Sequence, residues 1–296
     1  MQHEGTPRYY VPHSSVWPIV GSFALFVAAF GAASFIHEST EKVVTDSSWG
    51  RWVFLLGVLL IAFMMYGWFR TVVRESLQGM FSNRLDVSYR MGMFWFITSE
   101  VMFFAAFFGA LFYARQFSVP WLAGAGTNLE THTLLWPDFA DTWPLFRTPE
   151  GGQTQGMGAW GLPFINTLLL VTSSVTITFA HWGLRRNNRS SLTVWLALTI
   201  ILGATFLVIQ VVEYGHAMSD LGLTLSSGIY GSTFFMLTGF HGAHVTLGAI
   251  MLTVIFIRVL RGHFSSEDHF GFEATSWYWH FVDVVWLFLF TFVYWF

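Results

Sequence analysis

Five side chains that could do chemistry lie in stretches of this chain that carry almost no other charge. Glu100 sits in FWFITSEVMFFAAFF, with no basic residue for nine positions on either side. A carboxylate at the centre of a membrane helix costs about 2.5–3.5 kcal/mol on insertion scales, so it needs a hydrogen-bond partner or a proton. It is therefore either a proton-handling group or a structural acid bonded to a neighbouring helix. His241 and His244 lie in TGFHGAHVTLG at i and i+3, on one helix face. They can bond across helices or begin a metal site, but a metal site needs further ligands that the sequence does not place beside them, and none is expected. His280 and Asp283, in WYWHFVDVVW, also share a face and can pair. With no cysteine, thiolate metal sites, iron–sulfur clusters and disulfides are excluded. No catalytic residue is assigned.

The elements that must hold these groups are membrane helices. The chain is 54% hydrophobic and only 10% charged, against about 25% charged in soluble domains; mean hydropathy is +0.54. The charge of −3 and single lysine, Lys42, argue against nucleic acid as a partner. Seven apolar windows predict an all-α polytopic membrane protein with spans at 16–36, 52–69, 91–114, 159–182, 192–212, 229–257 and 274–296. Pro18 and Pro163 fall in first turns, where a missing N–H costs little. The N-terminal stretch lacks a basic region and cleavage signal, and reads as a polar lead into the first span.

Arginine placement orients the spans. Arg8, Arg70, Arg74, Arg84, Arg90, Arg185, Arg186, Arg189, Arg258 and Arg261 belong to one side, and Lys42, Arg51, Arg115 and Arg147 to the other. The N-terminus is thus expected in the cytoplasm and the C-terminus across the membrane. Glu100, His244, His280 and Asp283 then fall near the midplane or in the cytoplasmic half, as a polar seam among spans three, six and seven. Gln210, Glu213 and Tyr214 fall near the opposite interface, where the carboxylate is expected to reach water. Arg74, Arg258, Arg261, His263 and His269 lie at cytoplasmic ends, at a depth that suits phospholipid headgroups. The whole chain is read as one transmembrane domain, 1–296, with an extended non-cytoplasmic loop at 115–158 to which no chemistry is assigned.

Five segments resemble one family: SSVWPIVGS at 14–22, RTVVRESLQG at 70–79, YRMGMFWFITSEVMFFAAFF at 89–108, TGFHGAHVTLG at 238–248 and HFGFEATSWYWHFVDVVWLFLF at 269–290. The chain is similar over nearly its whole length to subunit III of the haem–copper cytochrome c oxidases, departing in the longer 115–158 loop. The resemblance implies two helix bundles, spans one and two against three to seven, with a V-shaped cleft holding phospholipids. It implies no cofactor in this chain, haem and copper being held by partner subunits I and II. It further implies a non-redox role in a proton-pumping oxidase: stabilising the catalytic subunit, sustaining proton uptake and limiting inactivation, in a bacterial plasma membrane. Glu100 matches the family's buried carboxyl, and Arg74, Arg258 and His269 match positions near lipid headgroups. The nearest alternative is subunit III of a related quinol oxidase, whose members usually lack the first two spans. An intramembrane metalloenzyme would need more histidines or carboxylates, and a retinal protein would need a lysine in its last helix.

Overall fold

The computed structural model describes residues 14–40, 49–80, 83–145 and 153–295. The polar lead with Arg8, Lys42, and the turn-forming stretch from Arg147 to Gly152 lie outside the described residues. The helices are α1 (Trp17–Thr40), α2 (Trp49–Leu77), α3 (Asn83–Tyr113), α4 (Val119–Leu122), α5 (Leu129–Leu135), α6 (Leu162–Arg185), α7 (Arg189–Ser219), α8 (Ile229–Leu260) and α9 (Phe270–Leu289). π-helical turns follow α3 at Ala114–Ser118 and α9 at Phe290–Trp295. Seven stretches among the described residues are long and apolar enough to cross a membrane. They match the seven predicted windows but run past them. α2 extends from Trp49 to Leu77, because Arg70, Arg74 and Glu75 end an apolar window without ending a hydrogen-bonded backbone. Its 29 residues measure about 43 Å, against a hydrocarbon core of about 30 Å, so the charged last turns reach the headgroups.

The chain forms two compact units, Met1–Tyr89 and Arg90–Phe296. In the first, α1 and α2 touch backbone to backbone. A Cβ added to Gly57 would lie 2.4 Å from the Ala28 backbone, and one on Gly31 would lie 2.2 Å from Phe54 N. Small residues at such crossings let helices gain the dispersion contact that replaces a hydrophobic driving force in lipid. Trp17 lies over Gly67 and donates its indole N–H to Thr71 Oγ1 at 3.2 Å.

The second unit is built around α9. Of its apolar window, 61% is buried, against 44% for α6 and 11% for the stretch containing α3. Trp279 enters a slot between Gly203 of α7 and Gly248 of α8, where added Cβ atoms would come within 2.6 and 2.9 Å of the indole. Its N–H donates to Ser173 Oγ at 2.8 Å, and that of Trp286 donates to Thr167 Oγ1 at 2.9 Å. Both rings are fully buried, and each indole donor has found a partner. Asn188 caps α7 by accepting from Ser191 N–H, and Pro163 stands in the first turn of α6. The expected loop at 115–158 starts later and holds structure: one helical run continues from Arg84 to Leu122, and α5 follows. Its far end is tied down where Met157 N–H donates to Tyr230 Oη.

Candidate functional site

α3 carries Glu100 opposite α8, and its Oε2 lies 2.8 Å from His244 Nε2. His244 Nδ1 is 2.6 Å from the Phe240 carbonyl oxygen. A carbonyl only accepts, so Nδ1 carries a proton. Nε2 then either accepts from a protonated Glu100 or donates to an ionised one, and the pair shares a single proton. Phe104, Phe103 and Tyr278 surround the imidazole at centroid distances of 5.0, 5.9 and 6.5 Å. The side chains of His244 and Glu100 keep 13% and 22% exposure, so the pair is sheltered without being sealed.

The remaining predicted polar groups do not join it. His241 is buried with neither ring nitrogen hydrogen-bonded, packed 5.2 Å from Trp286 and 5.9 Å from Phe206. The expected interhelical hydrogen bond of His241 is replaced by ring contacts. A step of three residues turns about 60° around a helix, which sends His244 toward α3 and His241 into the α7–α9 aromatics. His280 and Asp283 do not simply pair along their own face. Ser174 of α6 meets His280, at 3.2 Å from its Nδ1, and Asp283 is buried one turn further along α9. The expected single seam among spans three, six and seven is therefore two contacts, α3 with α8 and α6 with α9. The hydroxyls of Thr167, Ser173 and Ser174 were the missed signal, short polar side chains at helical spacing in TLLLVTSSVTITF.

Two further expectations are corrected. Glu213 does not reach water: it is fully buried and accepts from Tyr294 Oη at 2.5 Å, because the π-helical end of the chain closes over it. His269 faces inward, not toward a headgroup. It precedes α9, and one turn on its Nε2 comes 3.4 Å from Glu273 Oε1. His181, near the end of α6, approaches the same oxygen at 3.7 Å, and Arg90 pairs with Glu273 Oε2. Arg258 lies over the Phe264 ring at 4.3 Å, while Arg74 stands exposed on α2.

Outside the spans, hydrogen bonds from His216 and Ser219 hold the Asp220 carboxyl below its usual range. Partial burial, with Arg258 and Arg261 nearby, lowers His263.

A family model for cytochrome c oxidase subunit III matches residues 7–127 and 132–296. The chain belongs to the cytochrome c oxidase subunit III family. Cytochrome c oxidase subunit 3 of Homo sapiens is 40% identical over 100% of this chain and 99% of the relative. The proteins of the same name from Cyprinus carpio and Prototheca wickerhamii are each 38% identical, over 97% of this chain and 96% of theirs. The break in the family match, between 127 and 132, falls at the start of α5 in the long connection. Within this subunit III chain, TSE of α3 and GFHGAH of α8 supply the two halves of the proton-sharing pair.

Proposed function

We propose that the chain is the non-redox core subunit of a proton-pumping cytochrome c oxidase, assembled with subunits I and II that hold the haem and copper. In that role it braces the catalytic subunit, keeps phospholipids in place and sustains proton uptake. The membrane is the bacterial plasma membrane, with the N-terminus cytoplasmic and the C-terminus periplasmic, as the arginine asymmetry favours.

The observation that carries the proton role is the Glu100–His244 pair. A carboxylate on a helix with an 11% buried window is costly to keep in lipid unless it has a place from which to share a proton. An imidazole 2.8 Å away, with its other nitrogen already bonded, provides that place. Such a pair can take a proton at one atom and release it at another without leaving a bare charge. The exposed Arg74 and the partly buried Arg258 stand at helix ends where cations meet headgroup phosphates. His269, being turned inward, drops out of the lipid-binding set.

The test is Glu100→Gln in the assembled complex. Haem content and co-purification with the haem- and copper-bearing subunits should be unchanged, while proton uptake or turnover lifetime falls modestly. Complete loss of electron transfer would contradict a non-redox role, and purification without such partners would overturn the assignment to the complex. Arg258→Ala should lower the phospholipid retained per complex, read by mass spectrometry.

A further inference from the structure

We propose that His181, His269 and Glu273 form a binding site for one divalent transition-metal ion, with Zn²⁺ the best fit, where α6 ends and α9 begins. Each residue offers one ligand atom, and all three atoms lie within 4.8 Å of one another. Ligands bound tetrahedrally to Zn²⁺ at 2.0–2.2 Å sit about 3.3–3.5 Å apart. The His269–Glu273 separation of 3.4 Å already meets that spacing, and the His181–Glu273 separation of 3.7 Å nearly does.

A second observation points to a ligand independently of this clustering. The His269 side chain is 9% exposed, yet neither ring nitrogen has a hydrogen-bond partner. His181 Nε2 is buried and unpartnered in the same way. Buried nitrogens are almost always satisfied, and a single carboxylate oxygen does not satisfy these two rings. One cation between them would take the lone pairs of both Nε2 atoms. Arg90 takes the other oxygen of Glu273, so Oε1 is the one presented to the imidazoles. Fixing a ligating carboxylate from behind is what an outer-shell partner does at a metal.

The donor set selects the ion. Two imidazoles and one carboxylate suit Zn²⁺ and its transition-metal neighbours, whereas Ca²⁺ and Mg²⁺ require oxygen-rich shells. Three protein ligands leave a fourth position for water. The 24% exposure of the His181 side chain gives the ion a route in. Once bound, it would clasp the end of α6 to the start of α9, with α3 joined through Arg90. This assignment stands apart from the role proposed above, because the count can be made on whatever membrane complex the full chain enters.

The purified complex would be stripped with a chelator, dialysed against Zn²⁺ and analysed for metal, with His269→Asn and the more exposed His181→Gln in parallel. Wild type should retain one Zn²⁺ per complex more than either variant, whose affinity for that ion falls at least tenfold. Equal retention in wild type and an assembled variant would overturn the site. Should neither variant assemble, X-ray absorption on the wild-type complex with one equivalent of Zn²⁺ decides the matter. A first shell with two imidazoles supports the site. Any shell without them, or no retained ion, refutes it.

Discussion

Glu100 and Glu213 are both carboxyls embedded in long apolar helices, and they have opposite surroundings. Glu100 stands on a helix with few buried residues, keeps some exposure, and faces an imidazole that can both take and give a proton. Glu213 is sealed, and it faces the phenol of Tyr294, a donor. Gln210 and Asn166 lie near it in the buried layer, joined at 3.5 Å. The first arrangement is the one proposed to pass a proton. The second pins the end of the chain onto α7. The residue type is the same in both cases, so the partner and the enclosure decide the role.

The comparison predicts that the cost of substitution falls as enclosure falls. Glu213→Ala should cost the most, about 2–4 kcal/mol, by leaving a cavity and stranding the Tyr294 hydroxyl. Glu213→Gln should recover most of that, because an amide oxygen still accepts from Tyr294. Thermal melting of the solubilised complex would show it, and a wild-type melting curve for Glu213→Ala would break the contrast. For Glu100, a double-mutant cycle with His244→Phe should give a coupling of about 1 kcal/mol in stability. Coupling as large as the Glu213→Ala loss would make the pair primarily structural. Arg258→Ala should cost about 0.5–1 kcal/mol through loss of the Phe264 contact, and Arg258→Lys less. At the exposed end of the series stands Asp220. Its folded-state carboxyl is depressed by His216 and Ser219, so its contribution is present above the usual carboxylate range and fades as pH falls through the folded value. Asp220→Asn should remove only that small acid-side slope in a pH titration of stability.

The seven spans were legible because apolar windows report directly on the lipid solvent. Their ends were not, since arginines such as Arg70 and Arg74 continue a helix into the headgroup layer. Glu100 could be picked out as costly, but its partner had to come from a helix 144 positions away. Sequence spacing pointed equally to His241 and His244, and only packing separates the hydrogen-bonded ring from the one caged by aromatics. The same holds for His181, an ordinary residue in FAHWGL until the fold brings α9 beside it. Glu213 was misplaced for a related reason: depth along a helix places a residue near water, and the covering segment is contributed by distant chain.

The slot that receives Trp279 has a consequence for biogenesis. The indole fills space left open by glycines on two helices and a serine on a third, all earlier in the chain than α9. α6, α7 and α8 can enter the membrane before their shared filler exists, and until then they present an unfinished groove with a bare hydroxyl row. Insertion of α9 is therefore the step that commits the bundle, and a chain stalled before it would offer membrane quality control a recognisable, unclosed intermediate.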